Sequence, residues 1–126
     1  MSDDQLATLR VRERGAVVMA TVEGEIDLSN AGSLLEDLAA AVPNTAVGLL
    51  IDLTALEFLD SSGIHMLYDL AERPATRQQG FAVVLEPDAP PRRAIEVSGV
   101  EPATWIHADR CAAVTALGGS DDGAGA

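Results

Sequence analysis

Lysine is absent from these 126 residues, and eight arginines stand against twenty carboxylates, giving a formal charge of −12. A surface of that sign repels phosphate backbones and anionic headgroups, so neither nucleic acid nor a membrane is expected as partner, and a charged partner is expected to be basic. There is also no glycine-rich loop ending in Lys to cradle a nucleotide, so the chain is expected to carry no cofactor and to bring no ATP of its own. Cys111 is the single cysteine, which removes any intramolecular disulfide framework. No apolar run approaches about 18 residues and no signal-peptide pattern is visible, so a cytoplasmic protein is expected. Aromatic residues number only four, while 48% of the chain is apolar. The core must therefore be built from Val, Leu, Ile and Ala, the composition of helix-covered parallel sheets.

The length fits one domain. Residues 1–5 are polar and 118–126, "GGSDDGAGA", offer nothing to pack, which leaves 6–117 as the folded unit with loose ends. In "LATLRVRE" Leu9 and Val11 alternate with Arg10 and Arg12, and Arg14-Gly15 offers a turn into "AVVMATVEG", so a β-hairpin opens the domain. Leu34, Leu35, Leu38 and Val42 follow at helical spacing, with Ser29 or Asn30 to cap the start and Pro43 to end it. Residues 46–53 read as a strand buried on both faces. Ile64, Leu67, Tyr68 and Ala71 then mark a helix from Ser62, which Pro74 is expected to kink or break by clashing with the Leu70 carbonyl. "FAVVLE" reads as another buried strand, "PPRRAIEVSGV" as a short helix closed near Gly99, "TWIHA" as a short edge strand and "DRCAAVTAL" as a last helix capped by Asp109. The order ββαβαβαβα predicts an α/β fold with a mostly parallel sheet, an N-terminal hairpin and about four packed helices.

In such sheets binding groups gather where strands end and helices begin. "EFLDSSGIHML" is one such junction: Asp60, Ser61 and Ser62 lie near free helix N–H groups, Gly63 is read as a tight-turn residue, and the helix dipole favours a negative group. A phosphate on Ser61 fits that site; the plainer reading makes one of Asp60, Ser61 and Ser62 an N-cap. Hydrolase chemistry at Ser61 would need Gly where Leu59 stands, so the nucleophile-elbow pattern is missing. His65, one turn after Ser61, is a contact, a base or a solvated helix residue. His107 and Cys111 lack convergent ligand spacing, so no metal site is expected. Trp105 and Phe81 are read as packing residues. Asp27, Asp52 and Asp60 could cluster as the acidic pocket of a phosphoacceptor domain, but such a pocket usually adds a Lys.

"EFLDSSGIHML" resembles the phosphorylation segment of the STAS family, the sulfate transporter and anti-sigma factor antagonist domains. "VEGEIDLSNAGSLLEDL" is similar to that family's earlier Gly-Glu-(Leu or Ile)-Asp segment, and Gly80 before a strand and "RRAIEVSGVEP" follow in the family's order, so the resemblance covers roughly residues 6–117. It is nearest to the free-standing bacterial anti-sigma factor antagonists. The resemblance implies a regulatory module and not an enzyme: the unphosphorylated form binds an anti-sigma factor that is also an ATP-using serine kinase and so frees a sigma factor, until phosphorylation ends that binding and a serine phosphatase restores it. Carried onto this chain, it makes Ser61 the acceptor, Ser62 the neighbouring hydroxyl, Gly63 the turn, Asp60 the flanking acid and Asp27 part of the kinase contact surface. With His65 these form the expected partner-binding set. Where the family usually continues Leu-Gly-Val, this chain has Ile64-His65-Met66, which implies a different partner specificity. Two other readings stay open: a STAS domain of a stress-signalling scaffold or lipid-transport accessory complex, and a small phosphoacceptor or hydrolytic enzyme centred on Ser61 or Asp60.

Overall fold

The computed structural model describes residues 6–76, 79–98 and 104–118. The opening hairpin is present as β1 (Ala7–Arg14) and β2 (Val17–Ile26), paired antiparallel in full register and joined at Gly15, whose φ of 62° suits glycine. Then come α1 (Ala31–Ala40), β3 (Gly48–Asp52), β4 (Leu56–Leu59), α2 (Ser61–Thr76), β5 (Gly80–Val84), α3 (Pro90–Ser98), β6 (Ile106–His107) and α4 (Arg110–Ala116). The six strands form one sheet in the order β1-β2-β3-β5-β6, with β4 also paired to β2, and every pairing except the hairpin is parallel.

Strand alternation divides the core into two clusters. Val18, Ala20, Val22, Leu49, Ile51 and Val83 face α1, α2 and α3, which contribute Leu34, Leu38, Ile64, Leu67, Leu70 and Ile95. Val17, Met19, Leu50, Ala82 and Val84 face the other way, toward Ala113, Val114 and Leu117 of α4 and its end. The expected cap of α4 is in place, the Asp109 carboxylate accepting from Ala112 N–H at 2.8 Å. The aromatic residues pack as expected: Trp105 meets Tyr68 and Phe81 edge-on, with ring centroids 5.3 and 5.2 Å apart, tying α2 and β5 to the segment before β6. One buried polar side chain also holds the fold together. The Gln79 amide donates to the Pro43 and Ala46 carbonyls, both at 2.9 Å, and so fixes the connection from α1 into β3.

The structure departs from the sequence reading at three places. First, the apolar stretch after residue 46 is two strands. Asp52 stops β3 by accepting from both the amide and the hydroxyl of Thr54, at 2.9 and 2.7 Å, and the chain re-enters the sheet as β4. Second, α2 is not broken at Pro74 and runs to Thr76. Pro74 stands in the last turn, so its missing N–H leaves only the Leu70 carbonyl without its helical donor, while Ile64, Leu67 and Leu70 anchor the helix in the core. Third, Leu9 packs against the core but Val11, on the same face, is 44% exposed, β1 being the end of the strand order. The expected helix end at Gly99 and the expected loose ends at 1–5 and 118–126 lie outside the described residues, except for Gly118, whose N–H donates to the Thr115 carbonyl at 3.0 Å.

Candidate functional site

β2 and β4 end side by side. Ile26 is in register with Leu59, and Asp60 N–H donates to the Ile26 carbonyl at 3.1 Å, so Asp27 and Asp60 leave the sheet together at its C-terminal end. Asp27 opens a tight turn: one carboxylate oxygen accepts from the Ser29 amide at 2.8 Å and from the Ser29 hydroxyl at 2.6 Å. These two bonds hold its carboxyl below the ordinary value of 3.8, the hydroxyl contributing most. A depressed carboxyl supports the turn at neutral pH and loses that support as pH falls through its titration range. Asn30 occupies the N-cap position of α1, as expected, yet its side chain does not cap the helix. It turns back instead, accepting from Asp27 N–H and donating to the Glu25 carbonyl, both at 2.9 Å.

At α2 the capping question resolves in favour of Asp60. Its carboxylate accepts from Gly63 N–H at 3.1 Å and its carbonyl from Ile64 N–H at 3.0 Å. Ser61 is the first residue of the helix and is exposed; Ser62 is half-buried, and neither hydroxyl makes a hydrogen bond within the described residues. His65 is exposed one turn along, on the same side of α2 as Ser61. Gly63 does not act as a turn residue. It lies inside α2, the positive-φ glycines being Gly15, Gly24 and Gly118. Gly63 is buried, and a Cβ there would run into Leu59 Cδ1 and Ile26 Cγ2, so its role is to let α2 sit directly on the ends of β2 and β4. The division of labour predicts a contrast: Asp60→Ala should cost about 1 kcal/mol and Ser61→Ala less than about 0.5 kcal/mol in denaturant unfolding. Equal losses would mean that Ser61 shares the cap.

Two apolar side chains that the sequence did not single out are exposed beside this junction. Leu28, at the tip of the Asp27 turn, is 81% exposed, and Phe58, just before Leu59, is 49% exposed. Their signal was present only as a comparison. "DLS" at 27–29 and "DLT" at 52–54 form the same carboxylate turn, but Leu53 is fully buried and Leu28 is not.

Asp52 does not join Asp27 and Asp60. Its register partner on β2 is Thr21, five residues before Ile26, a separation of about 16 Å along the strand. Its carboxylate is committed to Thr54 and to Arg110, at 3.3 Å, which ties α4 to the end of β3. The three-carboxylate pocket of a phosphoacceptor domain is therefore not formed. His107 lies in β6 and Cys111 in α4, exposed. Among the described residues no helix is long and apolar enough to cross a membrane.

The model of the STAS domain matches residues 8–113, most of the chain. The chain belongs to the STAS domain family. Its α/β sheet and helix arrangement superpose on a crystal structure of an anti-sigma factor antagonist from Mycobacterium paratuberculosis with a TM-score of 0.77 and 32% identity, covering 88% of this chain and 93% of the other. The anti-sigma-F factor antagonist RsfB of Mycobacterium tuberculosis is 36% identical over 73 residues, which is 58% of this chain and 60% of RsfB. The match thus spans less than two thirds of that relative. The Bacillus cell fate determinant SpoIIAA in its phosphorylated form shares the fold, with a TM-score of 0.59 at 17% identity over 79% of this STAS chain and 89% of SpoIIAA.

Proposed function

We propose that this STAS domain is an anti-sigma factor antagonist, a binding module of the cytoplasm that performs no catalysis itself. Its unphosphorylated form binds an anti-sigma factor that is also a serine kinase, and so releases a sigma factor. The kinase, which supplies the ATP, transfers phosphate to Ser61 and ends the binding; a serine phosphatase restores it. Asp27, Asp60, Ser62 and His65 form the contact surface, and buried Gly63 sets the approach of α2 beneath it.

The observation that carries this reading is the placing of the Ser61 hydroxyl. It is exposed at the first residue of α2, where the helix dipole tolerates a phosphate, and it is free to react because Asp60 already caps the helix. The anti-sigma factor antagonists that the chain resembles support the antagonist reading. The separation of Asp52 from Asp60 counts against a phosphoacceptor enzyme. The test is incubation with ATP and the cognate kinase, followed by peptide mass spectrometry. One phosphate on Ser61 is expected, and none with ATP alone. Phosphate on Ser62 or Thr54, or on no residue, would overturn the assignment, and labelling without kinase would make the chain an enzyme.

A further inference from the structure

Six large apolar side chains are exposed among the described residues, and three of them gather at one end of the sheet. Leu28 stands at the tip of the Asp27 turn. Phe58 and Leu6 flank the strand that leads into that turn: Phe58 is in register with Glu25 on one side, and the Leu6 carbonyl accepts from Glu25 N–H at 3.0 Å on the other. Ile26 and Leu59, the next registered pair, lie under α2 at Gly63, so strand alternation turns Glu25 and Phe58 to the opposite face. On that face α4 packs over β3, β5 and β6, and Phe58 beyond them stays exposed. Phe58 is only three residues before Ser61, at most about 11 Å from it between Cα atoms. Carboxylates surround the patch: Glu25, Asp27, Glu57 and Asp60, none of which belongs to an ion pair among the described residues.

We infer that Phe58 and Leu28 are the apolar anchors of the interface with the anti-sigma partner, seated in an apolar pocket that the partner rims with arginine or lysine. The inference rests on the function proposed above and adds to its polar contact set the part that carries affinity. A contact made by Asp27, Asp60, Ser62 and His65 alone would strip water from carboxylates with little apolar area gained, whereas an aromatic ring and a leucine at the centre of the contact supply that area. The surrounding carboxylates then steer the encounter and select a basic rim. Charge also rules on the other occupants. The chain's own ends, "MSDDQ" and "GSDDGAGA", are acidic, and a second copy would set these carboxylates against themselves. The anchors also sharpen the role of Ser61: a partner seated on Phe58 has to bury whatever Ser61 carries, which places the phosphate inside the desolvated contact.

The experiment measures the binding kinetics of the full chain and its variants against the purified anti-sigma factor kinase, with thermal melts checking that each variant is folded. Phe58→Ala and Leu28→Ala should each weaken binding at least about tenfold, mainly through faster dissociation, because a buried anchor is lost. Glu57→Lys should slow association about tenfold at low salt and less at high salt, because a carboxylate at the rim acts on the encounter. Val47→Ala removes a similarly exposed apolar side chain at the opposite end of the sheet and should bind as the wild type does. Failure of the wild type to bind would end the function proposed above and this inference with it. Wild-type binding that Phe58→Ala and Leu28→Ala both leave unchanged would overturn the inference alone, as would an equal loss in Val47→Ala. A dimer in sedimentation that Phe58→Ala dissolves would assign the patch to a second copy, and kinase binding that tightens when residues 119–126 are removed would assign it to the chain's own tail; either result overturns the inference.

Discussion

Phosphorylation of Ser61 is expected to lower affinity for the anti-sigma partner by more than about a hundredfold, and Ser61→Asp by roughly five- to a hundredfold, about 1 to 3 kcal/mol. A phosphoserine adds about 1.5 to 2 negative charges and three acceptor oxygens at an exposed position that adjoins Asp60 and lies beside the Asp27 turn. Burying that charge against a partner costs desolvation and repulsion, whereas within the isolated domain the start of α2 accommodates it. The carboxylate of Ser61→Asp carries less charge and fewer acceptors, hence the smaller effect. Calorimetric titration of the three forms against the purified partner measures the series, with thermal melts checking that each remains folded. If all three bind alike, Ser61 lies outside the interface and the STAS domain serves as a scaffold instead.

The other large effect belongs to Gly63. Gly63→Val should destabilise the domain by about 3 kcal/mol and lower Tm by roughly 10 °C, because its side chain needs space held by Leu59 and Ile26, which are 5% and 0% exposed. The sign of the smaller change decides the mechanism. At a helical glycine with free space, alanine stabilises by about 0.4 to 1 kcal/mol. Here Gly63→Ala should destabilise by about 1 to 3 kcal/mol, since even the Cβ collides with both side chains. A stabilised Gly63→Ala, read from denaturant melts, would remove the close-packing role.

Much of this architecture is legible in the sequence because the signals are local. Leu34, Leu38, Ile64 and Leu67 recur at helical spacing and are buried, Tyr68 and Ala71 of the same stripe are half-buried, and Asp109 caps the helix it precedes. What escaped depends on longer-range geometry. The break between β3 and β4 is invisible in "LLIDLTALEFL" because both halves are apolar; it is set by the Asp52 carboxylate choosing the Thr54 backbone and hydroxyl. Pro74 signals a break by its ring, but whether a helix survives depends on how close its end is and how firmly its other residues are buried. The position of Ser61 was readable, whereas the identity of the cap was not: three adjacent polar residues could each fill it, and only the path from Leu59 selects Asp60. Gly63 looked like a turn because glycine permits one, and its contacts with Leu59 and Ile26 come from other elements. The exposure of Leu28 likewise follows from where the Asp27 turn ends up, since "DLS" and "DLT" are nearly identical.

β2 changes neighbours along its length, pairing through Val17 to Thr21 with β3 and through Gly24 to Ile26 with β4. The first half sits in the middle of the sheet, flanked on the far side of β3 by β5, while β4 pairs with β2 alone. Cooperativity is therefore uneven within a single strand. The segment from Leu56 through the first turn of α2 is fastened by three registered pairs and the Asp60 amide, so its opening free energy lies below that of the β3–β5 centre. Amides of β4 should exchange ahead of those in β3, and a ligand or modification at the end of the sheet acts on a unit that can loosen while the central strands remain closed.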